Sequence, residues 1–177
     1  MAVGVLMSEV NLSLRTTGPP VDHWLAPDQL VAQAGLAEGM TVTVCESDPG
    51  FYAAPVARSL GPAGRLLPVT CRGPALHADI PEESCDCLIL ADLWHANAAG
   101  PALLADLKRA IKPGGRLVLF DWNHAGPCPP GPPLAARVAM QDAVCAAERA
   151  SLTILHARRH DGGYLLLLEP TDESVQS

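Results

Sequence analysis

The apolar positions of this chain fall into short blocks that change character along its length. Around Trp24-Leu25-Ala26-Pro27-Asp28 a helix begins, with Pro27 suited to a first turn. It runs to Ala34, with Gly35 as its stop. Thr41-Val42-Thr43-Val44-Cys45 is short and β-branched, which predicts a strand. In Ser47-Asp48-Pro49-Gly50, the Asp48-Pro49 pair fits an N-cap followed by proline at the first helical position. The helix is predicted over Phe51 to Leu60, with Glu46 as a solvated loop acid before it. Arg65 to Thr70 reads as a second strand. Cys85 to Ala91 is a nearly unbroken apolar run bounded by acids, the pattern of a parallel strand buried on both faces. Pro101 to Ile111 predicts a helix whose basic end (Lys108, Arg109, Lys112) complements its dipole. Pro113-Gly114-Gly115 reads as a turn and Arg116 to Asp121 as the next strand. The Pro/Gly segment 125–133 is a loop, and Leu134 to Ala150 reads as one Ala-rich helix. Leu152 to His156 and Tyr164 to Leu168 predict a closing hairpin.

Strands alternating with helices and ending in a hairpin imply an α/β fold, a mostly parallel sheet with a C-terminal antiparallel hairpin. In such sheets the ligand crevice lies beyond the carboxyl ends of the strands. That singles out residues 45–50, 70–72, 91–95 and 121–124. The length of 177 residues suits one domain, over 26–170, with an irregular lead-in at 1–25 and a polar tail at 171–177.

Composition narrows the function classes. Hydrophobic residues make up 49% and charged residues 18%, enough apolar material for a real core. A net charge of −7 disfavours nucleic acid and anionic membrane surfaces as partners. No apolar run approaches the roughly 18 residues of a membrane span. No export signal is legible, so a cytoplasmic location with reduced thiols is expected.

Several segments together resemble the class I S-adenosylmethionine-dependent methyltransferases, and specifically the small ubiquinone-biosynthesis-type branch. Gly39-Met40-Thr41-Val42 through Ala57-Arg58-Ser59-Leu60-Gly61-Pro62-Ala63-Gly64-Arg65 is similar to that family's first strand, glycine loop and first helix. Residues 84–95 are similar to its fourth strand and the loop after it. Leu107 to Leu117, with Lys112-Pro113-Gly114-Gly115, is the most specific match, and Asp121-Trp122 and Gly131-Pro132-Pro133 add to it. The resemblance covers 24–169 and implies a Rossmann-like methyltransferase fold. It places cofactor contacts at Glu46, Asp48, Gly50 and Thr70. On the acceptor side it places Asp92, His95, Asp121 and His124, with histidine best matched to proton transfer near neutrality.

The family's glycine loop reads acidic–x–Gly–x–Gly–x–Gly, and the same register here is Val44-Cys45-Glu46-Ser47-Asp48-Pro49-Gly50. Only Gly50 remains. Glu46 and Asp48 add bulk and negative charge near the expected position of the cofactor's methionine carboxylate. Thr70 stands where an acid would accept from the ribose hydroxyls. Thirteen residues separate Thr70 from Ser84, too few for a further helix, a third strand and the return, so that crossover is expected to be missing or reduced. Asp79 is the nearest acid to the family's adenine-side aspartate, out of register.

Three functions follow. The first is a degenerate fold without the usual cofactor pose, a pseudoenzyme or partner-binding module that forms a homodimer or heteromer through the shortened sheet edge. The second is an active small-molecule methyltransferase with a rebuilt cofactor loop. The third and weakest is a cysteine-based metal or redox protein. Cys45 and Cys71, with Glu46, His77 and Cys128, could form a thiolate site on the rim. Without a CxxC pair, however, small buried cysteines explain them better, and no metal is expected. Cys85 and Cys87, with His77 and His95 on either side in sequence, should share one strand face and pack in the core.

Overall fold

The computed structural model describes residues 25–67, 69, 80–96, 100–124 and 131–171. In chain order its elements are α1 (Pro27–Ala34), β1 (Thr41–Glu46), α2 (Ala53–Ser59), β2 (Arg65–Leu67), β3 (Cys85–Ala91), α3 (Pro101–Arg109), β4 (Ile111–Trp122), α4 (Met140–Arg149), β5 (Leu152–Arg159) and β6 (Gly163–Pro170). The strands form one sheet in the order β2-β1-β3-β4-β6-β5. The first four are mutually parallel, and β6 runs antiparallel to both β4 and β5. This is the predicted α/β, Rossmann-like methyltransferase architecture with its closing hairpin.

Each sheet face carries its own apolar layer. On one, Leu88, Leu90, Leu117 and Leu119 pack beneath Leu103, Leu104 and Leu107 of α3 and the alanines of α4. On the other, Val42, Val44, Ile89, Val118 and Phe120 pack beneath Leu30 and Ala34 of α1 and Val56 of α2. Two covered faces explain why β3 needs an unbroken apolar run, and Leu88, Ile89 and Leu90 are all fully buried. The small alanines of α4 let that helix sit close to the sheet. Tyr52, at the start of α2, donates its hydroxyl to the Leu25 carbonyl at 2.9 Å and so ties the approach to α1 against the other helix on this face.

Several expectations need correction. Cys85 and Cys87 do not share a face: the former packs with the α3/α4 layer and the latter with the α1/α2 layer. The cause is a register irregularity, in which Cys85 faces Ile111 but Cys87 faces Arg116. The intervening Lys112-Pro113-Gly114-Gly115 belongs to β4 as a bulged stretch, not to a turn before it. Gly115 is required there, because a Cβ would stand 2.9 Å from the Asp86 carbonyl oxygen and 2.7 Å from Ile111. Asp86 anchors the same end, accepting from the Thr41 amide at 2.7 Å and from Lys112 Nζ at 2.9 Å.

The segment 134–150 is not one helix. A single 3-10 turn at Leu134–Ala136 gives way to extended backbone at Arg137, and α4 begins only at Met140. The hairpin strands are longer than predicted, and β5 carries a bulge between Ile154 and His156, with Leu155 exposed. No helix or strand among the described residues lies between β2 and β3. Thr70, Cys71, His77, Asp79, Cys128, the lead-in up to residue 24 and the tail from 172 lie outside the described residues. No helix among the described residues is long and apolar enough to cross a membrane.

Candidate functional site

Beyond the carboxyl end of β1 the chain turns through Ser47-Asp48-Pro49-Gly50 into α2. Asp48 does not cap this helix: its backbone carbonyl accepts from Phe51 N–H, closing a turn, and α2 starts later, at Ala53. The capping group is Glu46. Its Oε1 accepts from Gly50 N–H at 2.6 Å, and its Oε2 accepts from Tyr52 N–H at 2.8 Å and Ala53 N–H at 3.3 Å. Glu46 is therefore buried and structural, not a solvated loop acid. The carboxylate satisfies amides that a helix start otherwise leaves open. Burial raises its pKa; the three backbone bonds oppose this and Asp48 adds to it, with a net upward shift. Asp48 is half-buried. Gly50 is exposed at φ +90°, and the space beside its α-carbon is open. That position is costly for any residue with a Cβ.

Across the sheet, the loops after β3 and β4 meet. Asp92 is buried with φ 53° and donates its amide to the Phe120 carbonyl at 3.1 Å, which turns the chain sharply off β3. That turn delivers His95 to Asp121, at the end of β4. Asp121 Oδ2 accepts the His95 amide at 2.7 Å, and Oδ1 lies 2.8 Å from His95 Nδ1 and accepts the Trp122 amide at 2.6 Å. Asp121 is 1% exposed and His95 16%. A carboxylate partner fixes the ring with Nδ1–H donating, which leaves Nε2 as the basic nitrogen. Burial alone would lower the His95 pKa. The hydrogen bond and charge of Asp121, helped by Asp92 and opposed by Arg137, outweigh it and raise the pKa.

Sequence reasoning missed Arg137. It lies 5.4 Å over the Trp122 ring, is 5% exposed, and donates Nε to the Pro132 carbonyl at 2.9 Å and Nη1 to the Asn123 carbonyl at 3.2 Å. Its own carbonyl receives His124 Nδ1 at 3.1 Å. Gly131 also packs against the indole, and a Cβ there would meet Trp122 at 2.7 Å. An arginine among alanines reads as a helix face reaching for water, so the pattern held no signal for a buried one.

The structure thus brings Asp92, His95 and Asp121 together and puts His124 at their exposed margin, while Glu46, Asp48 and Gly50 form a second group around the first turn. Among the described residues, Cys85 and Cys87 do not join either group. Both are fully buried, and burial pushes their pKa values up to about 11 and about 12. Among the described residues no three His, Cys, Asp or Glu side chains are arranged to hold a metal ion.

A family model described as a methyltransferase domain matches residues 29–119, just over half of the chain. The chain belongs to that methyltransferase family. It is a member of the class I S-adenosylmethionine-dependent superfamily, and solved structures share its fold at low identity. A SAM-dependent methyltransferase from Aquifex aeolicus is 19% identical with a TM-score of 0.72, over 80% of this chain and 88% of that one. The 1,6-didemethyltoxoflavin-N1-methyltransferase of Burkholderia thailandensis, with its substrate and S-adenosylhomocysteine bound, is 17% identical (TM-score 0.54; 83% and 77% covered). The [4+2]-cyclase SpnF is 12% identical (TM-score 0.56; 82% and 80% covered). No curated protein matches the sequence. At these identities the structures speak for the fold, and a cyclase among them shows why chemistry must be argued from the site.

Proposed function

We propose that this protein is an S-adenosylmethionine-dependent methyltransferase acting on a small molecule, with His95 as the base on the acceptor side. The carrying observation is the His95–Asp121 pair at the carboxyl ends of β3 and β4, where a parallel α/β sheet holds its ligand. The cofactor, when bound, supplies a methyl group already activated on a sulfonium. What remains for the chain is alignment and removal of a proton from the acceptor heteroatom. Asp121 holds the ring by Nδ1–H, so Nε2 takes that proton and the imidazolium is stabilised by the buried carboxylate. The raised pKa makes His95 a stronger base than an ordinary histidine.

The first turn fits the cofactor in charge. S-adenosylmethionine carries a sulfonium, an ammonium and one carboxylate, a net positive ligand. Glu46 and Asp48 give this side a negative field. Open space beside Gly50 leaves the backbone approachable.

One observation favours a second reading, a fold retained for partner binding. The amides of Gly50, Tyr52 and Ala53, which could hold the cofactor's own carboxylate, are already taken by Glu46. In that reading the β2 edge pairs with a second copy or another protein. Calorimetric titration separates the two. Binding of S-adenosylmethionine tighter than roughly 100 μM, about −5.5 kcal/mol, and weaker binding of the less positive S-adenosylhomocysteine, are the expected results. No heat at millimolar cofactor, with a dimer in sedimentation, would establish the partner-binding module instead.

A further inference from the structure

The acceptor side of the crevice holds three buried polar groups with no hydrogen-bond partner among the described residues: Arg137 Nη2, Trp94 Nε1 and Tyr164 Oη. They belong to one neighbourhood. Tyr164 pairs with Asp121 across β6 and β4, and beyond the effect of burial its hydroxyl feels the charges of Asp121 and Asp142. Trp94, Asp142 and Arg149 line a cleft of about 320 Å³ between the start of α3 and the length of α4, and so does Val138, the residue after Arg137. The charge of Arg137 reaches His95. A volume of that order is the lower end of what encloses a small organic ligand.

The guanidinium is the decisive group. It stays charged at any working pH, and a buried charge is costly unless it is paired. Here it meets two carbonyls and an indole face, and no carboxylate of the described residues forms an ion pair with it. Three acids face this region, and the charge of Asp92, in the turn after β3, acts on His95. Asp121 has both oxygens engaged by donors of His95 and Trp122, and Asp142 stands on the far wall, on α4. An oxyanion beside Arg137 would complete the guanidinium with a charge-assisted bond, and would give the neighbouring donors an acceptor.

We propose that the methyl acceptor is a small molecule bearing an oxyanion, a carboxylate in the simplest case, held by Arg137 beside His95. This rests on the methyl-transfer reading and adds the substrate class. The test uses benzoate and its neutral isostere benzamide as probes, titrated into the cofactor-free protein by NMR. Benzoate should bind about tenfold or more tightly than benzamide. Arg137→Gln should erase that preference, and Arg137→Lys should keep part of it. Equal binding of the two probes, no saturable benzoate binding at millimolar concentration, or a preference unchanged in Arg137→Gln would each overturn the proposal. If Arg137→Gln proves unfolded by circular dichroism, the Arg137→Lys and wild-type comparisons still decide. Cofactor titration is run separately: a carboxylate preference without cofactor binding overturns the methyl-transfer reading and the ligand's role as methyl acceptor while leaving the oxyanion site at Arg137, and cofactor binding without carboxylate preference overturns this proposal alone.

Discussion

The two halves of the crevice solve opposite hydrogen-bonding problems. After β1, the amides at the start of α2 are satisfied from within, by the Glu46 carboxylate. After β3 and β4, Asp121 is just as well satisfied, yet Arg137, Trp94 and Tyr164 keep polar atoms buried and open. One half is closed on itself and the other keeps three buried donors unmatched among the described residues. Buried groups without partners are rare in folded proteins, and each calls for a reason. A ligand supplies that reason on the acceptor side, whereas on the cofactor side a ligand must work beside an acid already in place.

Removing the acid from each half in turn tests this contrast most severely. Asp121→Ala strands two amides and the His95 ring beneath the surface, and should cost about 3–5 kcal/mol in urea denaturation. Glu46→Ala strands three amides at a more accessible helix start and should cost about 1–3 kcal/mol. If the two losses come out reversed, the cofactor-side turn is the more tightly built half. In Glu46→Ala the preference for S-adenosylmethionine over S-adenosylhomocysteine should shrink, because one of the acids that favours the positive ligand is gone.

A smaller effect is expected from pH. The folded-state pKa of His95 is raised, so its protonation stabilises the fold fully below the ordinary histidine value near 6.5. That contribution fades as pH rises through the higher folded value. An NMR titration of the His95 ring should show a midpoint above 6.5 in the wild type, moved downward in Asp121→Asn. A midpoint that stays put in the variant would detach Asp121 from the shift. Least of all, Asp48→Asn should change stability by under about 0.5 kcal/mol, since half-exposed loop charges are well screened. It should still weaken S-adenosylmethionine binding a few-fold while leaving S-adenosylhomocysteine unchanged in calorimetry.

The architecture was readable because period and punctuation carry it. The apolar run 85–91 became β3 with the same limits, Pro101 opened α3, and the last strands paired as a hairpin. What escaped depends on three-dimensional partners. Asp48 before Pro49 has the composition of a cap, but the buried Glu46 reaches the amides first. Arg137 sits in a sequence with helical propensity, yet its guanidinium is tied to the carbonyls of Asn123 and Pro132, and the backbone there is extended. Alternation placed Cys85 and Cys87 on one face, and only the bulge opposite them reverses that. The crevice residues His95 and Asp121 were legible as positions at strand ends, and their bond to each other was not.

The bulge in β5 has a consequence for the behaviour of the protein in bulk. Among the described residues this strand ends the sheet, and a flat outer strand offers its open amides and carbonyls to any other copy it meets. Here the extra residue interrupts that ladder, and Arg158 and Arg159 follow it, both exposed. Two like charges on a kinked rim make stacking of one copy onto the next unfavourable. Concentrated solutions should therefore remain clear on warming until the fold itself opens, and replacing both arginines with valine should bring turbidity at a lower temperature.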